Sequence, residues 1–273
     1  MIIGLFFCGG LMAQNFQGKA IYKTSRKMNA SFGAKGKKGA MSAKQTAQIN
    51  EMLKKQFQKT FVLTFDKTTS IYKEEKRIGA PAASQGGNMV MVMGSGGGND
   101  VVYKNIKDNR FVNKTEIMGK LFLIKDNLPS FDWKLTGETK NIGIYTCYKA
   151  TFTREEERTS MSVEDGEMIE KKSKVDVVTT AWYAPSIPVS NGPGDYTGLP
   201  GLILEVREGN QTIMCSEIRL NPKEKIEIEE PRKGKKVSQS QYEKIMAKKS
   251  KEMMEKFKSR RKGGNSIHIN FGG

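Results

Sequence analysis

The sequence predicts a mainly β protein: a twisted antiparallel sheet, curling towards a half-barrel, with one or two α-helices and long flexible insertions. Three observations predict it. Short stretches place apolar residues at alternate positions, as at 60–66, where Phe61, Leu63 and Phe65 share a face. Tight polar turns separate them: Asp66–Lys67–Thr68, Lys107–Asp108–Asn109 and Met118–Gly119. No helical pattern intervenes between the strands from 101 to 220, which argues against parallel βαβ units.

The elements follow in order. Residues 18–26 read as a strand, and 28–42, rich in Gly, Ala and Lys, as a linker. Residues 43–58 carry Ala47, Ile49, Met52, Leu53 and Phe57 at helical spacing, with Ser42 placed to cap them. Strands at 60–66 and 69–75 form a hairpin, and 78–100 is a low-complexity, Gly-clustered insertion. Strands resume at 101–106, 110–117, 120–125, 132–140 and 144–153. Residues 154–173, acidic and then Lys-rich, read as a charged insertion; strands at 174–184, 201–208 and 211–220 complete the sheet. A second helix spans 238–262, with Tyr242, Ile245, Met246, Met253, Met254 and Phe257 as one stripe and Lys244, Lys248, Lys251, Lys258 and Arg261 around it. The tail from Gly263 reads as disordered. The chain thus divides into a leader at 1–13, a β domain at 14–225 and a basic helical extension at 226–273.

The leader sets the compartment. Ile2 to Met12 carries no charge and runs into Leu11–Met12–Ala13 before Gln14, an apolar core followed by a small-residue cleavage pattern. It is shorter than the roughly 20 residues of a membrane span. No other apolar run is long enough for one. The basic n-region of such a leader is missing, which leaves open whether the start lies upstream of Met1. The expectation is a periplasmic or secreted protein cleaved near Ala13–Gln14. Phe6 and Phe7 before Cys8 argue against lipidation there. Cys147 and Cys215 then remain. In an oxidising compartment they can pair, which would stabilise the fold by roughly 4 kcal/mol; two separate buried thiols in apolar strands are the alternative.

Forty-six Lys and Arg against 29 Asp and Glu give a net charge of +17, which favours acidic partners such as anionic envelope surfaces. An exported protein with only 8% aromatic residues is not expected to bind nucleic acid. Most catalytic templates fail for want of histidine, since His268 stands alone in the tail. Asp and Glu cluster in turns and in the charged insertion, so a carboxylate-based hydrolase is the remotest reading. Gly94–Ser95–Gly96–Gly97–Gly98 lacks the lysine of a phosphate loop. Met89, Met91 and Met93 share one face of an extended chain and are weak candidates for a soft metal ion. No cofactor and no catalytic residue is expected.

The most specific stretch is 181–206. A strand ends at Pro185, a Pro- and Gly-dense loop follows, and Gly198–Leu199–Pro200–Gly201 turns the chain back into Leu202–Ile203–Leu204. Leu199 is expected at the loop apex, half inside the core. Gly198 to Ile203 spells GLPGLI, and the chain resembles the GLPGLI family of exported Bacteroidetes proteins. Trp182–Tyr183, Ile187–Pro188, Gly192–Pro193 and Ile144–Ala150 carry the resemblance further, over roughly 16–225. It implies an exported protein of unassigned function and supplies no catalytic residue. The expected role is a non-catalytic binding or accessory protein for an apolar ligand, a lipid or an envelope partner, acting through Trp182, Tyr183, Tyr196 and Leu199. The alternative is docking on an outer-membrane transporter or an anionic surface through the basic helix.

Overall fold

A computed structural model describes residues 16–26, 58–75, 100–164, 167–224 and 226–260, with Lys44, Gln48 and Glu51; the side chains of 158–172, 253–254 and 256–260 lie outside this description. The leader, the methionines at 89–93, His268 and most of the 28–58 and 78–100 segments also lie outside it. Lys44, Gln48 and Glu51 are helical, as expected for that segment.

Twelve strands form one sheet. They are β1 (Gln17–Arg26), β2 (Thr60–Asp66), β3 (Thr69–Glu74), β4 (Val101–Asn105), β5 (Arg110–Ile117) and β6 (Lys120–Asn127). Then come β7 (Lys134–Ile142), β8 (Tyr145–Glu164), β9 (Glu167–Ala184), β10 (Leu202–Glu208), β11 (Gln211–Leu220) and β12 (Lys235–Val237), and after them a helix, α1 (Gln239–Arg260). The order across the sheet is β12-β6-β5-β4-β3-β2-β1-β11-β10-β9-β8-β7. Every pairing is antiparallel except β12 with β6.

Two expectations are corrected. Residues 154–173 are not an insertion between strands: β8 and β9 stay in register from Tyr148↔Tyr183 to Glu164↔Glu167. Among the described residues, this hairpin has no strand neighbour beyond the reach of β7 and β10, and its charged sequence lacks the apolar alternation that marks a strand. Nor do the described residues 226–260 stand apart from the sheet. Ile228 packs on Tyr103, Val112 and Leu123, β12 adds a parallel edge to β6, and Tyr242 meets Phe122 edge-on at 5.9 Å. Tyr242 and Ile245 thus bury the start of the helical stripe against Phe111, Phe122, Ile124 and Val237.

The curl of the sheet can be read from one lysine. Lys104 is completely buried on β4, and its Nζ donates to the carbonyl oxygens of Gly192 (2.8 Å) and Tyr196 (3.3 Å). Gly192 lies against Ile203 of β10, where an added Cβ would fall 2.8 Å from the Ile203 Cβ. Five strand spacings separate β4 from β10, about 24 Å in a flat sheet. A lysine side chain and one layer of loop bridge that gap only if the sheet curves strongly. The 185–201 loop therefore fills the concavity, with Ile187, Val189 and Leu199 in the core. At its exit, Gly201 passes so close to Ala184 that a Cβ would sit 2.4 Å from the Ala184 carbonyl oxygen. Tyr22 on β1 locks the same turn by donating its hydroxyl to Ile203 O at 2.7 Å.

Two predictions follow from this anchoring. Gly201→Ala should lower stability by about 2–4 kcal/mol, because backbone rather than a side-chain tip must move. The exposed Pro200→Ala should cost about 1 kcal/mol or less. Urea midpoints of the two variants compare them directly, and equal losses would show that the close approach is not limiting. The second prediction concerns Lys104, whose amine burial pushes down from 10.5 to about 7, against an opposing pull from Asp195. Between those values the unfolded chain holds a proton that the folded chain lacks, so stability rises with pH across the window and is lost as pH falls towards 7. The slope is at most about 1.4 kcal/mol per pH unit for one proton. Denaturation from pH 7 to 10 should show this rise, and Lys104→Met should flatten it.

Candidate functional site

Four aromatic rings gather where the 185–201 loop meets β8. Phe131 lies 5.6 Å from Trp133, 5.3 Å from Phe152 and 5.4 Å from Tyr196. Trp133 donates Nε1–H to Thr197 O at 2.8 Å. Beside it Gly198 takes φ +92°, in the left-handed region where glycine alone is unstrained. At the rim, Glu208 accepts from Arg154 Nη1 (2.5 Å) and Nη2 (2.8 Å), from Thr179 Oγ1 (2.5 Å) and from the Tyr196 hydroxyl (3.2 Å). The Arg154 guanidinium, outweighing the cost of burial, holds this carboxyl below the usual carboxylate range. Both oxygens are engaged, so Glu208 seals the cluster rather than offering a base.

Three residues earlier on β10, Glu205 is fully buried. It accepts from Lys140 Nζ at 2.6 Å and from Arg207 Nε. Lys140 also lies 4.3 Å over the Trp182 ring, a cation–π contact. Glu205 registers with Trp182 and Glu208 with Thr179, on opposite faces of the strand, so the two carboxylates do not form a facing acid–base pair. Among the described residues, no group of three His, Cys, Asp or Glu could hold a metal ion.

Three of the four residues expected to bind a partner, Tyr183, Tyr196 and Leu199, are brought together, and Trp182 is not. Tyr183 and Leu199 are core, packed with Ala150, Ala181, Ile203 and Val206, and Tyr196 packs half-buried against them. Trp182, the neighbour of Tyr183, points to the other face and packs against the cluster of Cys147, Ala184 and Leu202. Leu199 is 1% exposed, so it sits wholly in the core rather than half inside it. Of the family motif, Leu202 and Ile203 are likewise fully buried, and Gly198, Pro200 and Gly201 shape the turn. Cys147 and Cys215 are free thiols that share one buried cluster, although β9 and β10 stand between their strands in the order of the sheet. Burial pushes them up to about 11 and about 12, where a thiol is unreactive at neutral pH.

A different surface emerges on the inner face of β2 to β6, where the registers align three rows. One holds Leu63, Tyr72, Val102, Asn113 and Ile124, and the next Phe65, Ser70, Lys104 and Phe111. The third begins with Phe61 and Glu74 and ends with Thr115 and Phe122, and Asp100, one residue before β4, hydrogen bonds Thr115. Among the described residues, Ser70 Oγ, Asp100 Oδ1 and Asn113 Oδ1 are shielded from solvent with no hydrogen-bond partner. Phe61, Glu74, Val102, Asp100 and Asn113 are only half-buried, so solvent reaches the edge of this patch. Single-sequence reasoning missed it because its polar members register inward only once the strands are paired. On the outside of the molecule, Lys244, Lys248 and Lys251 of α1 are exposed.

Known proteins illuminate one part of the chain. No curated protein matches it in sequence. Two crystal structures of PNGF-II, in space groups C2 and P21, are similar to it in shape, each with a TM-score of 0.48, at 14% and 13% identity. The match takes in 85% and 86% of this chain, which spans only about a third of those proteins, 33% and 34% of their length. Residues 133–205, from Trp133 of the aromatic cluster through β7, β8, β9 and the loop to Glu205 of β10, match the model of a family described as a protein of unknown function (Porph_ging).

Proposed function

We propose that this is a non-catalytic binding protein of the cell envelope that holds a small apolar or amphipathic ligand against the inner face of β2 to β6. One observation carries the reading. A largely apolar concave face, reachable at Phe61 and Val102, presents three polar oxygens that nothing in the described chain satisfies, beside Lys104, Glu74 and Thr115, which are partnered. Native interiors rarely leave such groups unpaired, and each costs about 1–3 kcal/mol until water or a ligand meets it. The saturation of Glu205 and Glu208 supports a binding role over hydrolysis, since both are committed to structural partners. The apolar leader at 1–13 supports export to the periplasm or beyond, and the GLPGLI motif at Gly198–Ile203 supports kinship with the exported proteins of that name. The binding surface is not the 185–200 loop, whose Leu199 and Ile187 are core.

A second reading rests on α1. With Tyr242 and Ile245 turned to the sheet, Lys244, Lys248 and Lys251 at i, i+4 and i+7 leave a basic stripe exposed, suited to an anionic surface or an acidic partner such as an outer-membrane transporter.

Native mass spectrometry of the protein purified from its own envelope tests the first reading. A retained molecule of defined mass is expected, and an empty protein under gentle conditions would count against it. Sedimentation with vesicles of anionic lipid tests the second. Changing the three lysines to Gln should release the protein from the vesicles without altering its melting temperature, and undiminished binding would end that reading.

A further inference from the structure

The inner face carries a charge imbalance in an unexpected place. The protein as a whole has a large surplus of cations, yet among the described residues Asp100 has no ion-pair partner. Lys59, whose charge acts on it, is committed to Glu74 at 2.9 Å. Asp100 uses Thr115, which is 2% exposed, for one contact and leaves Oδ1 unpaired. By register Val102 faces Asn113, and Thr115 follows Asn113 by two residues on the same face of β5, so the unpaired Asn113 Oδ1 neighbours the Asp100–Thr115 contact. Lys59, Glu74 and Asp100 together carry a net charge of −1. Around them stand Phe61, Tyr72, Val102, Phe122 and Ile124.

We propose that Asp100, Asn113 and the Thr115 hydroxyl form a seat for a protonated amine on an apolar stem, a small amphipathic ammonium compound. The inference rests on the ligand-binding reading of the inner face and names the ligand class. The chemistry follows from the donor and acceptor count. The unpaired atoms are a carboxylate oxygen and an amide oxygen, both acceptors, next to a hydroxyl that also accepts. An ammonium group brings three donors and the one charge that neutralises the patch. A carboxylate or phosphate ligand would bring only acceptors and a second negative charge. The apolar rows on either side receive the stem, as in small-molecule sites where a few polar groups orient a mostly apolar ligand. The net positive charge of the surface does not cancel this attraction, because exposed charges more than about 8–10 Å away are largely screened at physiological salt. Burial, only partly offset by Thr115 and Lys59, pushes the Asp100 carboxyl up, which is the cost an ammonium partner would relieve.

Calorimetric titration of the full chain with hexylamine hydrochloride and with hexanol at neutral pH tests the proposal, because the two probes share a stem and differ in the head group. Hexylamine should bind, and hexanol should bind at least about tenfold more weakly. Asp100→Asn should weaken hexylamine by about tenfold or more, because it removes the charge and keeps the shape. Asn113→Leu gives an independent reading should Asp100→Asn fold poorly, and it should also weaken the amine. Lys59→Gln should tighten it, since a competing cation is removed from the mouth. Equal affinity for the two probes would overturn the ammonium seat while leaving the inner face a site for neutral ligands. Binding of neither probe would overturn the seat, and the molecule retained in native mass spectrometry would then judge the wider reading separately. Hexylamine affinity unchanged in Asp100→Asn would place the amine elsewhere and also sink the proposal.

Discussion

The buried amine of Lys104 ties the two halves of the sheet together. It leaves β4 and ends on two carbonyls of the loop between β9 and β10, far away in strand order and adjacent in space. A fully buried lysine without a carboxylate partner is costly. The site tolerates it because a neutral amine still has two N–H groups, one for each carbonyl. Once that contact is made, much else is determined. Gly192 is pressed on Ile203, Tyr22 caps the carbonyl of Ile203, and Leu199 is driven into the cluster with Ala181 and Val206. The loop works as a core element whose backbone polar groups are met by side chains from distant strands, a condition any buried loop must satisfy.

Charge is sorted by the same geometry. Of the carboxylates in the β7–β10 region, Glu205 sits between Lys140 and Arg207, and Glu208 holds both guanidinium nitrogens of Arg154. Removing the cation from such a pair would leave a buried charge uncompensated, which is why both are matched in full. Asp100 differs: among the described residues it has the Thr115 hydroxyl and the charge of Lys59, which is itself paired with Glu74. A chain so rich in lysine had ample means of pairing it, so its isolation singles out the inner face of β3 to β5.

The strand ladder from 101 to 127 was legible from the polar turns between its strands rather than from a clean alternation, since β5 buries both Phe111 and Val112 and β6 buries Phe122, Leu123 and Ile124 in succession, on two covered faces. The 154–173 segment was not legible, because its run of charged residues lacks the apolar alternation that marks a strand. The three residues of β12, Lys-Lys-Val, were too short to register at all. The GLPGLI turn was readable as a turn, and Gly201 has a local reason to be glycine. Its burial was not readable, because burial depends on the curl that Lys104 fastens. Trp182 and Tyr183 looked like a pair in sequence, but adjacent strand residues face apart, and only the register shows which cluster each joins. Asp100 closed a low-complexity stretch and carried no signal of its own. Asn113 and Ser70 looked like ordinary strand polars until pairing turned them inward.

A sheet this long has to manage its ends, and the way it does so bears on where a ligand can enter. At one end β12 is only three residues long and is followed at once by α1, which packs on β6. At the other, β7 is exposed along most of its length, but its pairing with β8 slips between Leu135 and Thr139, and it carries Lys134, Glu138 and Lys140. A bulge and charges at an edge discourage another strand from adding there. The loop occupies the concavity beside β9 and β10, and the helix covers its far side at β6. What remains accessible on the inner face is the stretch between them, at Phe61, Glu74, Asp100, Val102 and Asn113. Among the described residues, the elements that stabilise the curl and its ends thus leave this stretch open, and the unpaired oxygens of Asp100 and Asn113 belong to residues that line it.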